Sequence, residues 1–505
     1  MTSHSAAMTT ETHEALEKHL NRDDGQEDLC FALYRPSTGA TRRTAVIDDL
    51  VLPRDGERRV RGNVSFTGDY FLRAAFAAAD ADAGLALLHS HPHGFGWQGM
   101  SPDDVSAERG HAAQAREITG LPFVGMTMGT GEESWSARVW LSDAARAVFR
   151  RDCNSVRVVG DQLRVTYNPE LRPVPPATRK QVRTVSAWGE RVQADLTRLR
   201  VGIVGAGSVG SMVAEALART GIQHLVLLDF DRVKLHNLDR LLHATERDVR
   251  LARSKVEVLS RALKRSATAA DPRVDALELS LVEEAGWLAA LDCDVIFSCV
   301  DRPWPRAALN LLAYAHLIPV VDGGIRVRAP DGRLLGADWK AHVAAPSRQC
   351  LECAKQYLPE HVAMEREGRL DDPEYIKGLP KDSPLRASEN VFAFSANVAS
   401  LEVLQLLSMV VAPQGIADIG SQNHHFVTGE LDVDTHACTG GCFYSGQLLA
   451  RGDHTDIGVI GPHSAAQAER AERAAAGRRL PIRVGRLLDD LQYRAFQRLV
   501  AAAIR

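Results

Sequence analysis

The stretch LRVGIVGAGSVGSMVAEALARTG constrains the fold more than any other part of this chain. A buried-strand run leads into Gly205, Gly207 and Gly210 and then directly into a helical segment. Glycines at this spacing permit a tight turn and close approach of the backbone, and the helix N-terminus that follows favours a phosphate. HLVLLDFD, DVIFSCVD and PVVDGGI read as further buried strands, and RSKVEVLSRALKR as another helix. Continuous apolar strands alternating with helices predict a parallel, doubly wound α/β sheet. Taken alone, the glycines predict a dinucleotide site, with NAD the first expectation.

At 505 residues the chain is too long for one core, and about three domains are expected. Residues 1–20 read as a loose N-terminal tail, with a short helix an option at its end. Residues 21–168 mix short strands (DLCFALYR, GLALLHSH, PFVGMTM, SARVWLS, VRVVGDQLRVTY) with a helix, DYFLRAAFAAADA, which predicts an α+β domain. Residues 169–178 are proline-rich and form a linker. The α/β domain occupies 179–445, and 446–505 reads as a helical C-terminal tail.

Lys+Arg 60 against Asp+Glu 64 leaves a net charge of −4, which argues against a general nucleic-acid or membrane-surface binder. The longest apolar runs are strand-length, so no transmembrane helix is expected, and the polar N-terminus lacks a signal-peptide core. Eight cysteines are too few for a disulfide scaffold and point to a reducing, cytoplasmic compartment.

The segment LLHSHPHGFGWQGMSPDD carries the first chemistry. His89 and His91 lie two apart at a strand end, so both imidazoles project from one side and suit one zinc ion. Asp104 offers a third ligand from a helix whose start is marked by Ser101 and Pro102. Three protein ligands leave one zinc position for water, the arrangement of a catalytic zinc. Glu27, ahead of DLCFALYR, is the best-placed base, with Asp28 its neighbour and alternative; His93 reads as a loop residue.

HSHP followed by SPDD, with an acid upstream of the first strand, resembles the JAMM motif of JAB/MPN metalloproteases across roughly residues 20–165. The resemblance implies a deubiquitinase-like peptidase or isopeptidase. In it Glu27 is the general base, His89, His91 and Asp104 hold zinc, and Ser101 hydrogen-bonds the oxyanion.

The glycine run is followed by LLDFDRVKLHNLDRLL, then Lys255, then Asp301 after a buried strand. Asp229 stands where an acid meets a ribose. Asp231, Asn237 and Arg240 are more polar equipment than NAD requires. The series resembles the ThiF/MoeB and ubiquitin-activating superfamily over about residues 179–445, which implies a Rossmann-like adenylation domain using ATP and Mg²⁺. On that resemblance Gly205, Gly207, Gly210, Asp229, Asp231, Asn237, Arg240 and Lys255 bind nucleotide, and Asp301 positions Mg²⁺. Arg183 lies where a phosphate-contacting arginine often crosses a homodimer, although Thr184 replaces the usual glutamine.

Cys350 and Cys353 form one knuckle, Cys438 and Cys442 another, and together they suit a closed structural zinc site, which the same superfamily often carries. The segment between the knuckles contains no cysteine, and Cys30, Cys153, Cys293 and Cys299 read as buried hydrophobes. Adenylation without a stable self-thioester is therefore expected.

The pairing of domains resembles bacterial ubiquitin-like conjugation systems, including those linked to phage defence. It implies a ubiquitin-like protein as partner, with a conjugating enzyme or sulfur donor receiving the activated carboxylate. Activation of a sulfur carrier for cofactor synthesis and adenylation of a tRNA base remain open alternatives.

Overall fold

A computed structural model describes residues 2–61, 63–379, 389–455 and 458–504. The N-terminal half is built on a nine-stranded mixed sheet. Its order is Leu163–Tyr167, Ser155–Val159, Ser3–Thr9, Arg42–Val51, Leu29–Thr38, Gly84–His91, Phe123–Gly129, Ser134–Ser142 and Val148–Asp152. Helices Gly68–Asp80 and Pro102–Thr119 pack together and against the Gly84–His91 region.

The expectation of a loose N-terminal tail is incorrect. Ser3–Thr9 is an inner strand, parallel to both neighbours, with Ala6 opposite Val156 on one side and Ala45 on the other. Its small residues Ser5, Ala6 and Ala7 are fully buried, so close packing and ladder hydrogen bonds replace the β-branched signature that sequence reading looks for. Thr9 ends the strand by capping helix Thr10–Leu20, its hydroxyl accepting from the Thr12 N–H at 3.0 Å. Two further differences follow from local chemistry. VRVVGDQLRVTY is a hairpin, Ser155–Val159 and Leu163–Tyr167, and Arg42–Val51 is an additional long strand.

The second half is an eight-stranded sheet in the order Arg273–Leu277, His224–Leu228, Arg200–Val204, Val295–Ser298, Val320–Arg328, Gly336–Ala344, Ser421–His425 and Glu430–Asp434. The first five strands are parallel and the last three antiparallel. Strand order reverses between Arg200–Val204 and Val295–Ser298. This is the switch point outside which α/β sheets bind ligands, and the glycine turn emerges there.

One helix departs from the expected pattern of strand-length apolar runs. Phe392–Val411 is 20 residues long and apolar enough to cross a membrane by length and composition. Yet 56% of its apolar window is buried inside the protein, against helix Ser208–Thr220 and strands Val320–Arg328 and Gly336–Ala344.

Residues 169–178 contain no helix or strand, as their prolines predict. The domains they connect are nonetheless welded together. Ala7, Val46, Val159 and Leu163 of the first half share one apolar core with Val201, Ile203, Leu217 and Val295 of the second. Above this core, Asp294 receives Arg157 at 3.3 Å, the Arg200 N–H at 2.9 Å and a close contact from Arg42. Asp292 accepts from the N–H and hydroxyl of Thr41 and from the Arg42 N–H. Among the described residues of the C-terminal segment, only Ser464–Arg478 and Leu480–Ile504 are long helices; those ahead of them are mostly irregular.

Candidate functional site

The first candidate site lies at the end of strand Gly84–His91. Pairing with Leu29–Thr38 sets Leu29 opposite His89, and Ser90 stitches the chain entering that strand: its N–H donates to the Asp28 carbonyl at 3.0 Å and its hydroxyl accepts from the Asp28 N–H at 3.0 Å. This grip brings Glu27 beside His91 and Asp104, and burial raises the Glu27 pKa. Asp28 is unavailable for the same task. It is buried and paired with Arg22 at 3.3 Å and with Arg58.

Helix Pro102–Thr119 presents the third acid. Ser101 caps it, accepting from the Asp104 N–H at 3.1 Å, while Asp104 accepts from the Ser101 N–H at 2.8 Å. This reciprocal pair holds Asp104 3.6 Å from both His89 Nε2 and His91 Nε2, which are 3.2 Å apart. Zinc bonds of about 2.0–2.2 Å at tetrahedral angles would separate donor atoms by roughly 3.3–3.6 Å, so the three side chains fit that ion. Burial lowers the His89 pKa to about 3, which keeps the imidazole neutral, as a ligand must be. The Ser101 hydroxyl, accepting with its lone pair, keeps its proton for another acceptor. His93 stands outside the cluster in a left-handed loop conformation.

The second candidate site surrounds the glycine turn. Gly205 has φ 92°, and a Cβ there would collide with the Cys299 carbonyl. A Cβ on Gly210 would strike the Gly205 carbonyl, so helix Ser208–Thr220 can start only with glycine at that position. Gly207 faces open space. Asp229 ends strand His224–Leu228 and accepts from the Ala206 N–H at 2.8 Å and the Asp231 N–H at 2.7 Å, tying the acidic loop to the glycine turn. Lys255 lies 2.6 Å from Asp231 and 3.8 Å from Asp229. Burial pulls its ammonium down, but Asp229, Asp231 and Asp301 overcome this and keep Lys255 charged.

Asn237 and Arg240 make local contacts: Asn237 accepts from the Lys234 N–H, and Arg240 pairs with Asp239 at 2.8 Å. Ser208 reaches the Arg240 carbonyl at 3.1 Å, which brings that loop beside the glycine turn. Arg183 is exposed on the first turn of Val182–Arg198, and no described contact joins it to this cluster.

The four knuckle sulfurs converge within 4.8 Å of one another, with Cys350 and Cys442 at 3.7 Å. Zn–S bonds of about 2.3 Å give roughly 3.8 Å between sulfurs, so this set also fits zinc. Cys30, Cys153 and Cys293 are fully buried, and Cys299 only partly so. Burial raises the Cys299 thiol well above its ordinary range, with Glu402 adding to the effect.

Two residues near this site were not singled out by the sequence. Glu365, on helix Pro359–Arg366, accepts from the Trp304 N–H at 2.8 Å and so caps helix Pro303–Ala315, which begins two residues after Asp301. Arg306 links Asp322 at 3.0 Å to the Gly323 carbonyl at 3.0 Å. The signal for Glu365 was indirect: Arg302 ahead of Pro303 is no N-cap, so the helix needed a partner from elsewhere.

Among curated relatives, ubiquitin-like modifier-activating enzyme 5 of Drosophila virilis is 32% identical over 155 residues, covering 28% of this chain and 38% of the relative. The molybdopterin-synthase adenylyltransferase of Escherichia coli (strain K12) is 35% identical over 134 residues, 26% of this chain and 51% of the relative. The tRNA threonylcarbamoyladenosine dehydratase of the same organism is 32% identical over 146 residues, 28% and 52%. The matches thus span between about a third and half of these relatives' lengths. Among solved structures, Escherichia coli MccB with MccA-N7isoAsn aligns with a TM-score of 0.42 at 17% identity, covering 53% of this chain and 75% of that one. The ThiF family model matches residues 178–430, half of the chain and the whole glycine turn, acidic loop, Lys255 and Asp301. With the three-two-one-four-five strand order around that turn, the match makes this chain a member of the ThiF family.

Proposed function

We propose that the chain is a bifunctional enzyme. Its ThiF domain adenylates the C-terminal carboxylate of a ubiquitin-like protein with ATP, and its N-terminal domain is a JAMM-type metallopeptidase that matures or deconjugates such proteins. The observation that carries the first activity is the convergence of Asp229, Asp231 and Lys255 on the glycine turn. Attack of a carboxylate on the α-phosphate builds negative charge on the departing pyrophosphate. Lys255, already charged, is placed to stabilise it, and Asn237 and Arg240 would turn from their local partners to join it. Asp301 would position Mg²⁺, which supplies charge neutralisation. In a homodimer, the exposed Arg183 would serve the partner's nucleotide. The segment between the two cysteine knuckles contains no cysteine, so the adenylate would pass to another protein's nucleophile.

The second activity rests on the approach of His89, His91 and Asp104 with Glu27 beside them. Zinc held by the three would supply Lewis acidity at the scissile carbonyl. Glu27 would take a proton from water and hand it to the leaving amine, and Ser101 would donate to the oxygen that gains charge. Four cysteines would hold a second, structural zinc.

A bacterial ubiquitin-like conjugation system, in the cytoplasm, gives both activities one substrate. The similarity to the molybdopterin-synthase adenylyltransferase and to the tRNA threonylcarbamoyladenosine dehydratase favours two other acceptors for the ThiF half, a sulfur carrier and a tRNA base. ATP–pyrophosphate exchange with a ubiquitin-like protein, a sulfur carrier and tRNA in parallel separates them; exchange driven only by tRNA overturns the protein-tail reading. For the peptidase half, Glu27→Gln should retain metal at the N-terminal site and lose cleavage of a ubiquitin-like fusion. Undiminished cleavage removes Glu27 from the role.

A further inference from the structure

The C-terminal segment 459–478 is packed against the rim of the nucleotide site at three loops, and each contact lies close to a residue of that site. On the Asp231 loop, Glu469 is almost fully buried and accepts from the Arg232 N–H at 3.3 Å, from Arg232 Nε at 3.0 Å and from Lys234 Nζ at 3.1 Å. Glu472 also pairs with Arg232. On the loop after strand Arg273–Leu277, Arg473 pairs with Glu278, which accepts from the Ser254 hydroxyl at 2.7 Å. Ser254 caps the helix that begins with Lys255, and it bridges Arg232 across a short antiparallel contact. On the Asp301 loop, the ring of Trp304 meets His463 edge to face at 5.4 Å and donates to the Val459 carbonyl at 2.6 Å. His463 also packs on Phe230, between Asp229 and Asp231, at 5.1 Å, and its Nδ1 lies 2.8 Å from the Ser280 hydroxyl.

These loops leave the carboxyl ends of strands His224–Leu228, Arg273–Leu277 and Val295–Ser298, the edge where the sheet presents its ligand site. Asp231 and Lys255 stand at the two ends of one connection, between strand His224–Leu228 and the helix that Lys255 begins, and Asp301 follows strand Val295–Ser298; the tail reaches residues beside each of them, directly at Arg232 and Trp304 and through Glu278 at Ser254. Glu469 has little freedom to wander, because its buried carboxylate would be costly to leave without the two cations.

We propose that segment 459–478 is a positioning element of the nucleotide site, with Glu469 and His463 as anchoring residues that hold Asp231, Lys255 and Asp301 in register for ATP. This rests on the reading of that site as an ATP site. Nothing in the segment touches the reacting atoms; it acts through the loops, and small misplacements of charged groups cost binding steeply. Because coupling between sites is reciprocal, bound nucleotide should in turn tighten the tail.

The test uses the full chain and a non-hydrolysable ATP analogue with Mg²⁺ in titration calorimetry. Glu469→Gln should weaken binding by roughly tenfold or more, and the charge exchange Arg232→Glu with Glu469→Arg should recover most of the loss. The melting temperature of each variant is read alongside, so that a general loss of stability is distinguished from lost positioning. Hydrogen exchange on the unaltered protein needs no variant: amides of Ser464–Arg478 should slow when the analogue saturates the site. Unchanged affinity in Glu469→Gln, or unchanged exchange in that helix, overturns the inference. If the unaltered protein binds no analogue, or Lys255→Ala binds as tightly as it does, the ATP reading itself fails.

Discussion

Replacing Asp294 should separate the two halves of this protein. Its carboxylate sits between Arg42 and Arg157, both from the N-terminal half, and immediately ahead of strand Val295–Ser298 of the ThiF domain. Burial alone would raise its pKa, but the two guanidiniums reverse this and lower it from 3.8 to about 2. That gap corresponds to about 2.5 kcal/mol of stability. Because the folded-state value is the lower one, the stabilisation is complete above pH 3.8 and is lost as pH falls through about 2. At neutral pH, Asp294→Asn forfeits it and also leaves two buried arginines facing each other. Arg157 already feels this strain: burial first, then Arg42, drags its pKa to about 9. Removing one partner of such a cluster costs about 3–5 kcal/mol, whereas replacing the whole cluster with apolar side chains is often neutral. Urea unfolding followed by tryptophan fluorescence should therefore show Asp294→Asn less stable by about 3 kcal/mol, with one transition splitting into two. The triple variant Arg42→Met, Arg157→Met, Asp294→Leu should recover most of the loss. A single transition within about 1 kcal/mol of the unaltered protein would mean that water reaches the cluster and that the domains are not joined through it.

Other outcomes follow from the same structure. Burial raises Glu365 from 4.5 to about 7, so its ionised form opposes folding progressively across that window and fully above it. Glu365→Gln should raise the unfolding midpoint at pH 8, by the equivalent of about 3 kcal/mol, and change it little at pH 5; equal shifts at both values contradict the assignment. Lys255→Ala should slow ATP–pyrophosphate exchange by about 10²–10³-fold; undiminished exchange removes it from the phosphate site. Cys350→Ser and His91→Ala should each lower zinc content by one ion per chain in metal analysis, and only the first should lower the melting temperature of the ThiF half. An unchanged metal count in either variant dismisses that site.

What could be read from the sequence was chemistry compressed into short segments. The glycine turn, the two histidines, the Ser101–Pro102 helix start and the cysteine knuckles are local patterns whose geometry follows from strand and helix periods. The strand Ser3–Thr9 was hidden because its small and polar residues carry no strand propensity; it forms through partners 39 and about 150 positions away. The choice between Glu27 and Asp28 was open in sequence, since adjacent carboxylates look alike. Only Arg22 and Arg58, arriving from elsewhere, distinguish them. The role of Glu365 and the docking of the tail depend on contacts between distant segments, of which spacing carries no trace.

The position of Ser3–Thr9 also bears on how the chain is made. This strand leaves the ribosome before both of its neighbours, and one of them, Ser155–Val159, is some 150 residues behind it. At about 5–20 residues per second, roughly 8–30 s pass before that partner exists. For that interval one edge of a future inner strand stands unpaired on the nascent chain, a template for pairing with other chains. Early synthesis is therefore when this protein is most exposed to aggregation, and slower elongation before residue 155 should lower its soluble yield.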